Sequence, residues 1–506
     1  MKRRILCLMA SLLLCGAVSA QNWGTPDPYA KSSNTPIVAQ VVINGETQTA
    51  GTLGAFVGDQ LRGISTAHTD GNYWIQVFYD AGTTENISFK YYVDSQEYDY
   101  SGVTVSTCEE GYGTPTNPFV LACQSTTLAS GWSWWSSYVE ITDGAAALTT
   151  LENSLGAAGI RIQSRNNGFV DGYFYNGETR WFGTLASINN EQMYQVHTSG
   201  DCNSIMTGAY ASTENHAITI NNNWNWIGYP CHESMSLNNA FSSDFIPEPN
   251  DQIKSKSNGF AYYIVSGTTS YWWGTLNSFE PGQGYMYLSN SNNTKTLTFQ
   301  SARGESLILN NSFEDNIFIS EEKVFADNMT VTAVVELEGN ELRDDNYELA
   351  AFVGDECRGS VKLMYVEPLN RYIAFLLIAG DKEESLRFAL ADRNGISWSS
   401  DNLMYSTNAV IGNPSEPAIL HFGPLGLDDN IDNLVNVYPN PSKDIFNIEG
   451  NGIRKVEIIN TYGQVVYSKE VKEENLQINM GGYASGAYLL RVVTISGVSI
   501  KQLIKK

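Results

Sequence analysis

Basic residues are scarce in this chain. Its 506 residues include 30 Lys and Arg against 54 Asp and Glu, which gives a net charge of −24. A protein that binds nucleic acid through phosphates needs a basic patch or stripe. This balance therefore excludes nucleic acid as a partner. Charged residues are only 17% of the chain, whereas glycine and tyrosine are plentiful. That composition is typical of secreted β-rich proteins, since turns need glycine and strands favour aromatic residues.

Sequence motifs for catalysis are also lacking. None of the five histidines lies in an HExxH motif, and there is no G-x-S-x-G elbow or catalytic cysteine signature. No acidic loop has the D-x-[DN]-x-[DN]-G pattern of an EF-hand. We therefore expect no catalytic residue, no metal site and no cofactor, with calcium as the one ion that other acidic loops could bind. A surface hydrolase with a diverged carboxylate pair remains an alternative, because glycosidases need only two acids brought together in space.

A long apolar run occurs once, at the start of the chain. "MKRR" is followed by "ILCLMASLLLCGAV" and by small residues ending at Ala20, which predicts a Sec signal peptide over residues 1–20. No later run is long and apolar enough to cross a membrane. The remaining cysteines would then meet an oxidising compartment. We expect the disulfides Cys108–Cys123 and Cys202–Cys231, which leave Cys357 over.

One duplication is visible in "AFVGDQLRG", from Ala55, and "AFVGDECRG", from Ala351. Runs of alternating apolar and polar residues flank both copies, as in half-buried antiparallel strands. Each phrase predicts a hairpin turn at its Gly-Asp pair. An ion pair between Asp59 and Arg62, and between Asp355 and Arg358, is expected to close the turn. We place two β-sandwich repeats here, module A at 34–124 and module A′ at 326–424.

A second duplication lies between these modules. "IQSRNNGF" at Ile162 matches "IKSKSNGF" at Ile253, and "RWFGTL" at Arg180 matches "YWWGTL" at Tyr271, both at an offset of 91. These matches define module B at 128–222 and module B′ at 223–302. A short helix is expected in each, on Leu148, Leu151 and Leu155 with an Asp143 or Thr142 cap, and more weakly on Leu237, Ala240 and Phe241. The fold class predicted is all-β and multi-domain.

Aromatic residues of modules B and B′ are the best candidates for ligand binding. Trp132 and Trp134 share a strand face, and Trp135 points to the other. Trp135 is matched by an aliphatic residue in the second copy, so we expect it to be exposed. Phe182, Tyr271 and Trp273 are expected to point outward and to alternate with core tryptophans. An exposed ring can stack on a sugar or anchor a protein partner. Core packing is the alternative for any repeated tryptophan.

The end of the chain carries a set of ordered motifs. They are "YPNP" at Tyr438, Pro439, Asn440 and Pro441, "YG" at Tyr462 and Gly463, "GAYLLRV" with Gly486, Tyr488, Arg491 and Val492, and the closing "KQLIKK". Residues 434–506 resemble the type A C-terminal sorting domain of proteins exported by the type IX secretion system of Bacteroidetes-type bacteria. Residues 425–433 form an acidic linker before it. The resemblance implies a small β-sandwich, contact with the type IX machinery and a place outside the outer membrane, with surface lipopolysaccharide as a frequent anchor.

These observations favour a secreted, cell-surface, non-catalytic protein. Its expected role is adhesion, or capture of a glycan or of a host or matrix protein. A structural component of the surface or matrix is the first alternative, and a surface hydrolase is the second.

Overall fold

The computed structural model describes residues 23–27, 31–300, 317–320, 324–392, 395–423, 435–450, 452–460, 465–471, 475–494 and 497–506. The predicted signal peptide at 1–20 and the linker at 425–433 lie outside these residues. Strands dominate every module, and the all-β prediction is confirmed. The chain divides into two compact units, one of residues 1–124 with 207–210 and one of the remainder. No helix in the described ranges is long and apolar enough to cross a membrane.

Module A is a sandwich of two sheets. One sheet is built on β1, which pairs antiparallel with β5 and parallel with β8, and the other has the order β4-β3-β6-β7. Buried aromatic and branched side chains alternate along its strands, as the sequence pattern predicts. Its strands are β1 (Ser33–Ile43), β2 (Glu46–Thr47), β3 (Thr52–Val57), β4 (Gln60–Thr66), β5 (Asn72–Tyr79), β6 (Asn86–Val93), β7 (Gln96–Ser106) and β8 (Phe119–Leu128).

Module B is a five-stranded antiparallel sheet, of order β12-β11-β10-β13-β9, that carries one α-helix. The helix α1 (Gly144–Leu155) buries its three leucines, and the Asp143 side chain accepts hydrogen bonds from the amides of Ala145 and Ala146, as expected of a cap. Strands of this region are β9 (Gly131–Trp135), β10 (Gly159–Gln163), β11 (Phe169–Tyr175), β12 (Glu178–Gly183), β13 (Tyr194–Thr198), β14 (Cys202–Gly208) and β15 (Ile218–Ile220), with 3-10 turns at Gly156–Ala158 and Thr213–Asn215.

Module B′ repeats this sheet strand for strand, in the order β16-β22-β18-β19-β20. The predicted second helix is wrong. Residues 237–241 form turns between β17 and β18, and the sequence there lacks the leucine repeat that gives α1 its buried stripe. The strands are β16 (Asn223–Ile227), β17 (Met235–Ser236), β18 (Gln252–Lys254), β19 (Phe260–Ser266), β20 (Thr269–Gly274), β21 (Ser278–Phe279), β22 (Tyr285–Ser289) and β23 (Lys295–Leu297).

Module A′ has the same strand pairings as module A. Its strand β24 pairs antiparallel with β29 and parallel with β33, and the second sheet contains β27-β26-β30-β31. The strands are β24 (Asp327–Leu337), β25 (Asn340–Glu341), β26 (Glu348–Val353), β27 (Glu356–Lys362), β28 (Met364–Val366), β29 (Arg371–Gly380), β30 (Ser385–Ala391), β31 (Ile396–Met404), β32 (Val410–Ile411) and β33 (Ala418–Phe422), with a 3-10 turn at Glu367–Leu369.

The phrase shared by modules A and A′ is a hairpin in both. Strands β3 and β4, and likewise β26 and β27, pair antiparallel across the predicted Gly-Asp turn. Gly58 and Gly354 have φ of 57° and 58°, a left-handed conformation that glycine adopts at no steric cost. The repeated phrase is therefore a turn signature of the sandwich.

The arginine of each phrase has a different partner from the one predicted. Arg62 Nη2 lies 3.5 Å from Glu85 Oε1, and Arg358 Nη2 lies 3.0 Å from Glu384 Oε2. These glutamates precede the next strand of the same sheet, so the arginine connects the hairpin to its neighbour. Arg358 Nη2 also lies 3.2 Å from Glu356 Oε2 of its own hairpin. The predicted ion pair with the aspartate three residues earlier is wrong.

The C-terminal module is a small sandwich of a three-stranded and a four-stranded sheet. Asn440 joins the first motif to the last strand, since its Nδ2 donates to Gln502 O at 2.6 Å and its Oδ1 accepts from Ile504 N at 2.9 Å. Arg491 Nη1 pairs with Glu457 at 2.9 Å. Tyr462 and Gly463 lie outside the described residues. The strands are β34 (Val435–Tyr438), β35 (Ile445–Gly450), β36 (Ile453–Ile459), β37 (Val465–Glu470), β38 (Asn475–Asn479), β39 (Gly486–Thr494) and β40 (Gly497–Lys505).

The predicted disulfides are wrong. Cys108, Cys123, Cys202, Cys231 and Cys357, the cysteines of the described part, are all thiols. Cys123 lies in the core of its module, where burial raises the pKa of the thiol to about 12. The Cys108 thiol instead lies 3.9 Å from the Gly111 carbonyl oxygen. The secreted context suggested pairing, but the structure contains no disulfide between these residues.

Candidate functional site: the open face of module B

A row of five side chains crosses the sheet of module B on the side away from its core. Phe182, Asp171, Arg161, His197 and Trp132 are direct partners across β12, β11, β10, β13 and β9. Because side chains alternate between the faces of a sheet, partners in register share one face. We call this row, together with Phe169 and Tyr173 on the same face, the open face.

An ion pair occupies the centre of the open face. Arg161 Nε lies 2.6 Å from Asp171 Oδ1, and Nη2 lies 2.9 Å from Oδ2, so the contact is bidentate. These hydrogen bonds lower the pKa of the Asp171 carboxyl and raise the pKa of Arg161. The guanidinium also stacks over the Phe169 ring, 4.3 Å from its centroid. Both charged groups are thereby held in one orientation.

Aromatic rings lie at both ends of the row. Trp132 and His197 stack with centroids 4.5 Å apart and planes 6° apart. Burial, followed by the charge of Arg161, lowers the pKa of His197, so the imidazole is neutral at neutral pH. At the other end, Tyr173 and Phe182 lie with centroids 6.1 Å apart, and they are 58% and 60% exposed. The face therefore has aromatic rings at both ends, which are exposed at the Phe182 end and half-buried at the Trp132 end.

Module B′ has the same row, with different side chains. Trp273, Tyr262, Gln252, Leu288 and Trp224 are the partners across β20, β19, β18, β22 and β16. These positions correspond one for one to the row of module B, because the strands pair in the same order. The two rows can therefore be compared position by position.

Module A′ covers the row of module B′. Tyr262 OH donates to Gly412 O at 3.0 Å, Trp224 Nε1 donates to Asn408 O at 2.9 Å, and Gln252 bonds to Thr330. An apolar cluster completes the contact. It contains Phe260, Tyr262 and Ile264 of B′ with Val334, Val366, Ile373, Phe375 and Leu377 of A′. In module B the corresponding side chains include Asp171 and Tyr173, and the rings remain exposed.

The four candidate aromatic residues have different environments. Phe182 is exposed on the open face, and Tyr271 is exposed at the edge of the B′ sheet. Trp273 is half-buried beneath module A′. The prediction that Trp135 is exposed is wrong: its strand face is the core face, it has no exposed surface, and its ring lies 6.3 Å from that of Tyr194.

Tyr173 is the exposed residue that sequence reasoning missed. It lies in β11, two positions from Asp171 and opposite Arg180 in β12. The available signal was period-two alternation, which places it on the same face as Phe182. Duplication did not mark this position as aromatic, because module B′ has Ile264 at the matching position.

His216 lies between two glutamates. His216 contacts Glu191 through Nδ1 at 2.7 Å and Glu140 through Nε2 at 3.0 Å. The hydrogen bond that the imidazole donates to Glu191 is the largest cause that raises the pKa of His216. Because the two carboxylates use opposite ring nitrogens, they do not converge on one metal position. Within the described ranges, no group of three His, Cys, Asp or Glu side chains could hold a metal ion.

Comparison with known proteins identifies the C-terminal module. Residues 436–506 match the family described as the secretion system C-terminal sorting domain. The chain is therefore a secreted or cell-surface protein. More specifically, it is a type IX secretion substrate whose sorting domain interacts with that machinery, as the motifs predicted.

Two further comparisons concern the whole chain. No curated protein matches it. A solved structure described as "Biofilm associated protein - BSP domain" is similar over 99% of both chains at 8% identity, with a TM-score of 0.13. A score this low carries no argument about fold or function. The function of modules A to A′ must therefore be argued from their own surfaces.

Proposed function

We propose that this secreted protein is a non-catalytic binding protein of the cell surface, and that the open face of module B captures its ligand, a glycan or a protein. One observation carries the proposal. The row that module B′ uses to hold module A′ is present in module B, but there Phe182 and its neighbours Tyr173 and Phe169 are exposed. Exposed apolar patches with polar neighbours are typical of interaction sites.

The chemistry of the two rows supports a division of roles. In B′ the row is apolar enough to stay buried against a neighbouring module. In module B the Arg161–Asp171 pair takes the place of Gln252 and Tyr262. Two charged side chains favour a solvated face, and the exposed rings beside them remain available for stacking. Adhesion or ligand capture at the surface follows from such a site on an exported chain.

Array binding tests the proposal. The full chain is applied to immobilised glycans and matrix proteins, alongside Phe182→Ala and Tyr173→Ala. We expect each substitution to weaken the signal about tenfold, because each removes one exposed ring. Tyr365→Ala, at an exposed tyrosine of module A′, is the matched control and should bind normally. Signals as strong as the parent's in both variants would contradict the assignment of the face.

A structural role at the surface or in a matrix is the second candidate. Absence of binding to every glycan and protein probe would favour it. The proposed capture needs no cofactor, so binding should persist in a calcium chelator; its loss there would identify calcium as a component. Lipopolysaccharide is the proposed anchor at the sorting domain, and release of the chain from cells lacking that glycolipid would support it.

A further inference from the structure

The charges of the open face cancel. Arg161 is paired with Asp171, and Arg180 in the flanking strand lies 3.9 Å from Glu178. His197, the remaining titratable group of the row, is neutral at neutral pH. A polyanion or polycation gains affinity from a field of the opposite sign. The open face has no net charge that could attract either kind of polymer, although the chain is strongly acidic overall.

The centre of the face can still hydrogen-bond to hydroxyl groups. Arg161 uses Nε and Nη2 to bind Asp171, and its Nη1 has no hydrogen-bond partner within the described structure. The side chains of Arg161 and Asp171 are 35% and 23% exposed. A guanidinium donor beside carboxylate acceptors matches adjacent hydroxyls, each of which both donates and accepts. Because the pair is already oriented, little side-chain entropy is lost when it binds.

The dimensions of the row favour a polymer. Four inter-strand spacings separate Phe182 from Trp132, which is about 19 Å at the usual spacing of strands. Aromatic rings lie at both ends, and the polar pair lies between them. A single small ligand would contact one end alone, whereas several consecutive sugar rings would reach from one aromatic end to the other.

We infer that the open face binds a neutral, hydroxyl-rich polysaccharide whose chain runs across the five strands of the module B sheet. Sugar rings stack on Phe182 and Tyr173 at one end and contact Trp132 and His197 at the other. Arg161 and Asp171 hydrogen-bond to hydroxyls in between. This inference rests on the proposed function, which assigns the same face to a ligand of either class.

Binding of the full chain to soluble polysaccharides tests the inference by retardation in affinity electrophoresis. The neutral probes are dextran, mannan and xylan, and the acidic probes are alginate and hyaluronan. We expect at least one neutral polymer to bind. Binding should persist at about 1 M salt, where the Debye length is about 3 Å. Phe182→Ala should weaken it about tenfold, the effect of losing one stacked ring.

Two further variants separate the polar centre from folding. Arg161→Lys keeps the charge but loses the planar fork, so it should weaken binding while leaving the melting temperature nearly unchanged. Tyr365→Ala remains the control for a non-specific loss of aromatic surface. A Phe182→Ala protein that binds a neutral polymer as well as the parent would overturn the inference.

The failures of the two proposals differ. Two results would overturn the neutral-polysaccharide inference and leave ligand capture intact. One is salt-sensitive binding of acidic polymers only, and the other is binding of proteins only. In both cases Phe182→Ala would have to weaken the binding. Absence of binding to every sugar and protein probe would overturn both.

Discussion

At the scale of single residues, Trp135 and Phe182 show how the alternation of side chains along a strand decides which ring is buried. Both are aromatic residues on strands of the same sheet, yet one lies on the core face and the other on the open face. The aliphatic Ile227 at the position matching Trp135 indicates a site that must be hydrophobic in either copy. The replacement of Trp135 by Ile227 in the second copy therefore indicates a core position and not, as predicted, an exposed one.

Removal of these two rings should therefore have opposite consequences. Trp135→Ala should lower the free energy of unfolding by about 3–5 kcal/mol, because it leaves a cavity in a packed core. Phe182→Ala should change it by less than about 0.5 kcal/mol. Urea denaturation of the two variants and the parent gives both values. Equal stability losses would contradict the assignment of the two faces.

The cysteines provide a second prediction at this scale. After denaturation without reductant, the chain freed of residues 1–20 should react with five equivalents of a thiol reagent, because its five cysteines are thiols. Melting temperatures with and without reductant should agree. A count of three thiols would restore one of the two predicted disulfides, and a count of one would restore both. Spacing failed here because it records loop length and not the direction of a side chain.

At the scale of elements, patterns of alternation and repetition were sufficient for most of the fold. The hairpin of the repeated phrase and the capped helix α1 follow from local residues, namely glycine at a left-handed turn and aspartate before an apolar stripe. The Arg358–Glu384 contact does not follow from local residues, because it joins neighbouring strands whose register is set by the tertiary fold. The covering of the B′ row by module A′ is likewise a long-range contact that no local pattern encodes.

The junction of modules B, B′ and A′ contains a buried amine. Lys254 Nζ donates to Asn328 O at 3.0 Å and to Asn408 Oδ1 at 2.8 Å, and it lies 4.4 Å from the centroid of the Trp224 ring. Desolvation lowers the pKa of this lysine to about 7. The amine thus loses its proton in the folded chain at a pH where the unfolded chain keeps it.

Stability of this junction should consequently depend on pH. Between pH 7 and 10.5 the unfolded state binds more protons at Lys254, so the free energy of unfolding rises with pH, by at most about 1.4 kcal/mol per pH unit. Lys254→Met should flatten that slope. Tryptophan fluorescence during urea denaturation reports the transition, since Trp224 borders the amine. Parallel slopes for the parent and Lys254→Met would show that the lysine stays charged in the folded protein.

At the scale of the whole molecule, the sorting domain determines where the other modules are delivered. Deletion of residues 434–506 should leave the chain in the periplasm, because the truncated protein lacks the domain that the type IX machinery recognises. Cell fractionation with antibody detection measures the distribution. A deletion of module A alone, which keeps the sorting domain, is the control and should still reach the surface. Export of the truncated chain would contradict the assignment.

The parallel pairing of β24 with β33 has a mechanical consequence. Chain from module B′ enters A′ at β24, and chain toward the sorting domain leaves after β33, with Ala333–Leu337 paired to Ala418–Phe422 in parallel register. If a ligand on module B and an anchor at the C terminus pull against each other, the tension passes through A′. Parallel strands drawn from opposite ends load all their hydrogen bonds together, in shear, whereas a hairpin opens one bond at a time. Tension along the chain would thus load this strand pair of module A′ in its more resistant direction.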